Sequence, residues 1–192
     1  MPEIEDLRIR RTNTLLSNAL IELMQAIPYN KISINDICDK AMVHRATFYK
    51  HFYDKDDLFD YVLTSLSEEL YEKAKTNKEF NTSKDMYLSL ISCAIDFLVT
   101  NKSKIQCIVK NFSEKLYDTV VDTLKRSVLY YSGKIKNKET FSIPKDVLID
   151  FFIGGMSLLG FNLIKDNDFK YSKEEMMHYC DILLDKKAFL VQ

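Results

Sequence analysis

The chain is poor in the residues that punctuate or cross-link a fold. Its 192 residues include only four glycines and three prolines, so long helices with few turns are expected rather than many short strands. The four cysteines, Cys38, Cys93, Cys107 and Cys180, are scattered without a C-x-x-C pair, and reduced thiols in a cytoplasmic protein are the simplest account. The three histidines, His44, His51 and His178, are too few and too badly spaced for a zinc site. No glycine-rich phosphate loop and no G-x-S-x-G occur, and paired carboxylates such as Asp56-Asp57 and Glu174-Glu175 suit helix starts. The expectation is therefore no enzyme, no cofactor and no metal.

Long apolar runs are missing too. The opening MPEIEDLRIRR has no apolar stretch behind its charges, unlike a secretory signal. The best membrane candidate, Val147 to Ile164, is interrupted by Asp150, Ser157 and Asn162 and diluted by glycines, so it reads as a buried helix. Nor is there an excess of positive charge: the net charge is −1. That excludes a non-specific nucleic-acid coat but not a local basic surface.

What is present centres on Lys40 to Leu58. Phe48 and Phe52 share one helical face; Ala46, Thr47 and Lys50 point most nearly the other way, with Arg45, Tyr49 and His51 on the flanks. A short helix held by two aromatics and presenting such side chains is built like a reading helix in a DNA groove. Before it, Ser33-x-x-Asp36 is a capping box opening a helix with Ile34, Ile37, Cys38 and Ala41 inward. Ala41-Met42-Val43 then forms a tight connector. A longer first helix, with Leu16, Ala19, Leu20, Leu23 and Met24 in period and Pro28 at its end, stands behind both. Arg8, Arg10 and Arg11 crowd its start, either as a solvated lead or as an arm along phosphates.

These residues resemble the N-terminal domain of the TetR/AcrR family of bacterial regulators over residues 7 to 60. The likeness rests on Ile32-Ser33-Ile34-x-x-Ile37, Ala41-x-Val43, Arg45-x-Thr47-Phe48-Tyr49-x-His51-Phe52, and Lys55 with Asp56-Asp57-Leu58. It implies an all-α protein: a helix-turn-helix DNA-binding domain at 1–54, then a helical ligand-binding and dimerisation domain at 55–192. The family usually has glycine where this chain has Met42; a left-handed backbone there would cost Met on the order of 1–2 kcal/mol. The expected DNA contacts are Ser33, Arg45, Ala46, Thr47, Tyr49, Lys50, His51 and Lys55. Of these, Arg45 is suited to a bidentate contact. By resemblance, Tyr49, His51, Lys55 and Ser33 would hold the phosphate backbone. Over residues 1–60, eight Lys/Arg face ten Asp/Glu, so placed contacts must outweigh net charge.

Beyond Lys55 the pattern is helical throughout. One helix to about Lys78 carries Leu58, Phe59, Val62, Leu63, Leu66 and Leu70; a polar boundary follows from Thr76 to Lys84, with Thr82-x-x-Asp85 as a cap. Separate helices are expected at Tyr87–Val99, Ile105–Phe112 and Leu116–Tyr131, then a loop over Gly133–Thr140. Ser142-Ile143-Pro144 opens the next helix and Ser172-x-x-Glu175 the last. Phe97, Phe112, Tyr117, Phe152 and Met156 are candidates for an effector pocket. Phe151, Gly155, Leu159, Met176, Cys180 and Leu183 are candidates for a homodimer interface made as a shared four-helix bundle. The tail also resembles a subset of the family from low-GC Gram-positive bacteria that includes co-activators of dihydroxyacetone kinase operons, although the tryptophan usual there is absent. The reading is an effector-responsive dimeric regulator of a palindromic operator, in the sense of a repressor, with a protein-partnered co-activator or interaction module as the alternative.

Overall fold

The computed structural model describes residues 7–75, 79–137, 143–165 and 171–184, apart from the side chains of Ser113, Leu163 and Lys165. Parts of the expected 76–84 boundary and 133–140 loop, and Ser142, lie outside those residues. Among the described residues the chain forms eight α-helices: α1 (Leu7–Ala26), α2 (Ile34–Ala41), α3 (Arg45–His51), α4 (Lys55–Ala74), α5 (Ser83–Thr100), α6 (Lys102–Ser132), α7 (Lys145–Lys165) and α8 (Lys173–Leu183). A 3₁₀ turn at Tyr29–Lys31 joins α1 to α2. No helix among them is long and apolar enough to cross a membrane.

The helix starts follow from local chemistry. Ser33, Thr82 and Ser172 each accept from the backbone N–H three residues on, while Asp36, Asp85 and Glu175 accept in return from the N–H of the cap. Asp54 caps α4 by accepting from Asp57 N at 2.8 Å, and Asp57 accepts from Tyr53 N at 2.8 Å. Each such cap satisfies donors that a helix start leaves open, worth roughly 1 kcal/mol.

Packing follows the apolar period. Leu16, Leu20, Ile37, Phe48 and Leu58 are fully buried together, which fixes α1, α2, α3 and the first turns of α4 around one core. That core continues without a break into α6 and α7 through Ile105, Ile108, Leu116, Phe161 and Ile164. At the far end of the bundle, Tyr131 donates its hydroxyl to the carbonyl of Ala74 at 2.7 Å, closing α6 onto the C-terminus of α4.

Two stretches differ from expectation. The segments expected as separate helices at 105–112 and 116–131 form one continuous element, α6, broken only at Phe112, where the backbone turns to φ −147°, ψ 54°. The polar residues after Phe112 mark a kink rather than a loop. Met176 and Cys180, expected at a subunit interface, are buried within the protomer with Ile91 and Ile95 of α5. The apolar residues of α8 divide between two sides, and this one faces the chain's own α5.

Candidate nucleic-acid interface and C-terminal cavity

The connector between α2 and α3 makes the geometry of the site. Val43 N donates to Cys38 O at 2.9 Å, closing α2, and Met42 takes a left-handed conformation at φ 53°, ψ 42°. Met42 is the one non-glycine residue with positive φ among the described residues, and its side chain is 91% exposed. No packing of that side chain offsets the strain.

From there α3 runs for seven residues, with Phe48 buried in it and Phe52 buried just beyond. His44, Arg45, Ala46, Tyr49 and Lys50 are exposed, and Thr47 is half-buried. Arg45 donates to the Tyr49 hydroxyl at 3.1 Å, which holds the guanidinium at one end of the exposed row. Ser33 is also exposed, its hydroxyl donating to Asp36 Oδ2 at 2.7 Å. This surface offers fixed donors and an aromatic ring at the spacing of one short helix.

Two of the expected contacts turn inward. The His51 ring is half-buried with Nδ1 at 2.7 Å from Asn13 Oδ1, tying α3 to α1. The Lys55 ammonium donates to the carbonyls of Tyr29 and Ile32, each at 2.8 Å, and lies 4.2 Å from the centre of the Tyr29 ring. Two of its three donors are thus spent on the turn before α2.

Tyr29 itself was not singled out from the sequence. Its hydroxyl donates to Asp56 Oδ1 at 2.5 Å, and its ring contacts both Phe59 and Phe112. Burial, followed by the hydrogen bond to Asp56, raises its phenol well above the ordinary tyrosine range. It lies in a turn, where helical periodicity says nothing about partners, so no local pattern marks it.

Behind this module a cavity of about 110 Å³ lies among α4, α5, α6 and α7, with Met176 and Leu184 also reaching it. Of the residues expected at an effector pocket, Phe97, Phe152 and Met156 line this cavity. Phe112 and Tyr117 do not: Phe112 packs on Tyr29 and Phe59, and Tyr117 on Phe161. On the outer surface of α7 and α8, Phe151 is 67% and Leu183 60% exposed, with Gly155 and Leu159 also exposed. Leu159 also borders the cavity.

Residues 16–62, spanning most of α1 to the start of α4, match the family model of the bacterial regulatory proteins of the tetR family. That stretch is a TetR-type N-terminal domain. Within it, α2 and α3 are the helix-turn-helix. The chain is 29% identical over 139 residues to the HTH-type dhaKLM operon transcriptional activator DhaS of Lactococcus lactis subsp. lactis, covering 66% of this chain and 70% of that one. Among solved structures it resembles a dihydroxyacetone kinase operon activator DhaS at a TM-score of 0.67 and 19% identity, over 94% of this chain and 98% of that one. It also resembles a TetR transcriptional regulator from Streptococcus agalactiae 2603V at a TM-score of 0.66 and 19% identity, over 96% of this chain and 99% of the other. At such identities these structures establish a shared fold.

Proposed function

We propose that this transcriptional regulator is a cytoplasmic, non-enzymatic homodimer that binds a palindromic operator and changes its affinity when an effector enters the C-terminal cavity. The observation that carries the reading is the row of Arg45, Ala46, Tyr49 and Lys50 standing exposed on a helix anchored by Phe48 and Phe52. Residues 1–54 form the DNA-binding domain and residues 55–192 the effector and dimerisation domain. Arg45 and Lys50 read base edges or phosphates, Thr47 touches a phosphate or a thymine methyl, and Ala46 allows close approach. Tyr49 and Ser33 hold the sugar-phosphate backbone. His51 and Lys55, turned inward, act on it through the remaining ring nitrogen and the remaining ammonium proton.

Two copies would pair through the exposed side of α7 and α8. The distance between their α3 helices must then match the half-site spacing, so a small shift of α4 lowers affinity. Regulation is in the sense of repression. A second reading, activation through a protein partner, is favoured by the relationship to a chain described as an operon activator.

The test begins with selection of bound fragments from random duplex DNA by the purified protein. Arg45→Ala should then cost about 1–3 kcal/mol of specific affinity by fluorescence anisotropy. Unchanged affinity removes Arg45 from the reading set. A promoter fusion carrying the selected site gives the sign: lower output in the presence of the protein supports repression, higher output the activator reading.

A further inference from the structure

The hydroxyls around the cavity differ in one respect. Thr119 and Thr123 of α6 satisfy themselves by donating to carbonyls one turn back, at 2.8 and 2.7 Å, and Ser67 pairs with Thr123 at 2.7 Å. Ser157 of α7 is only 3% exposed and borders the same cavity, yet its Oγ has no hydrogen-bond partner. A buried hydroxyl without a partner is costly, and a group that could supply one is favoured there. The remaining described lining residues are apolar apart from these four hydroxyls and the phenol of Tyr87, with no Lys, Arg, His, Asp or Glu among them. A carboxylate or phosphate would lose its hydration with nothing charged to replace it.

We infer that the cavity takes a small uncharged molecule, mostly hydrocarbon, with one hydroxyl or carbonyl that hydrogen-bonds Ser157 Oγ. Its size follows from the volume. A cavity of about 150 Å³ accommodates benzene, so about 110 Å³ suits roughly four or five non-hydrogen atoms. This rests on the reading that the effector enters the C-terminal domain, but it specifies the chemistry that domain accepts.

The matched probes are 1-butanol and butyrate at pH 7.5, titrated into the full-length protein and followed by methyl NMR. The alcohol should shift methyls lining the cavity, such as those of Leu116, Val128 and Ile153, while butyrate leaves them in place. Ser157→Ala, which removes an unpartnered group and should fold, should weaken the alcohol about three- to tenfold. Ser17→Ala, whose hydroxyl is also unpartnered but does not border the cavity, should not. The inference is overturned if neither probe shifts those methyls, if butyrate binds as well as the alcohol, or if Ser157→Ala leaves the alcohol's affinity unchanged. Operator affinity is measured on the same samples. Binding of 1-butanol with no change at the operator supports the ligand class and removes the effector response from the proposed function.

Discussion

The ring of Phe112 meets that of Tyr29 edge-on, with centroids 4.6 Å apart and planes at 85°. One ring belongs to the turn before the helix-turn-helix. The other sits at the break in α6, the helix that also borders the cavity through Ile105, Leu116 and Thr119. The helix-turn-helix module and the cavity-bearing bundle meet at this pair. Phe112→Ala should cost about 2–3 kcal/mol in urea unfolding, below the usual figure for a fully buried ring because Phe112 is half-buried. It should also blunt the response of operator affinity to a cavity ligand, with affinity in its absence changed by less than about threefold. A response as large as wild type would leave the contact purely structural.

Met42→Gly should stabilise the protein. The left-handed backbone at Met42 strains an L side chain, and that side chain is exposed. Relief of strain exceeds the extra freedom glycine gives the unfolded chain, for a net gain of about 1 kcal/mol. Thermal melts should show a rise of roughly 2–4 °C, while Met42→Ala, which keeps a Cβ, should show little.

High pH should weaken the fold through its tyrosines. Burial raises the phenol of Tyr87 to about 12 and, with the hydrogen bond to Asp56, raises that of Tyr29 further. In the unfolded chain both lose their protons near pH ~10. Their contribution is therefore whole below about pH 10 and is lost as pH rises through the folded values. Urea midpoints at pH 9, 10 and 11 should fall progressively, and Tyr29→Phe should flatten the decline.

The outer side of α7 and α8 can be separated from the inner. Phe151→Asp should give monomers in equilibrium sedimentation at micromolar concentration with helicity unchanged, since Phe151 is exposed in the protomer. Met176→Ala instead removes buried packing and should cost about 2–5 kcal/mol of stability. A Phe151→Asp protein that remains dimeric would move the interface elsewhere.

Features read well from sequence were those whose cause lies within a few residues. Ser33, Thr82 and Ser172 each announce a capped helix because donor and acceptor sit three positions apart. The run from Leu58 to Leu70 shows its buried face by period alone. Met176 and Cys180 show where this stops: periodicity identifies apolar faces but not whether α5 or a second copy covers them. Phe112 and Tyr117 were expected at the cavity because they are aromatic, but an aromatic ring in a junction has the same sequence signature. Lys55 was expected to point outward as a charge; its acceptors, Tyr29 O and Ile32 O, come from a turn more than twenty residues earlier.

Those two bonds from Lys55 bear on how movement passes through the molecule. They cross the proposed division between residues 54 and 55 and pin the first turn of α4 to the turn that leads into α2. A hinge placed at that division would have to break them. Under the proposed effector response, the start of α4 and the helix-turn-helix should therefore swing as one rigid head, and α3 would be re-aimed without being loosened.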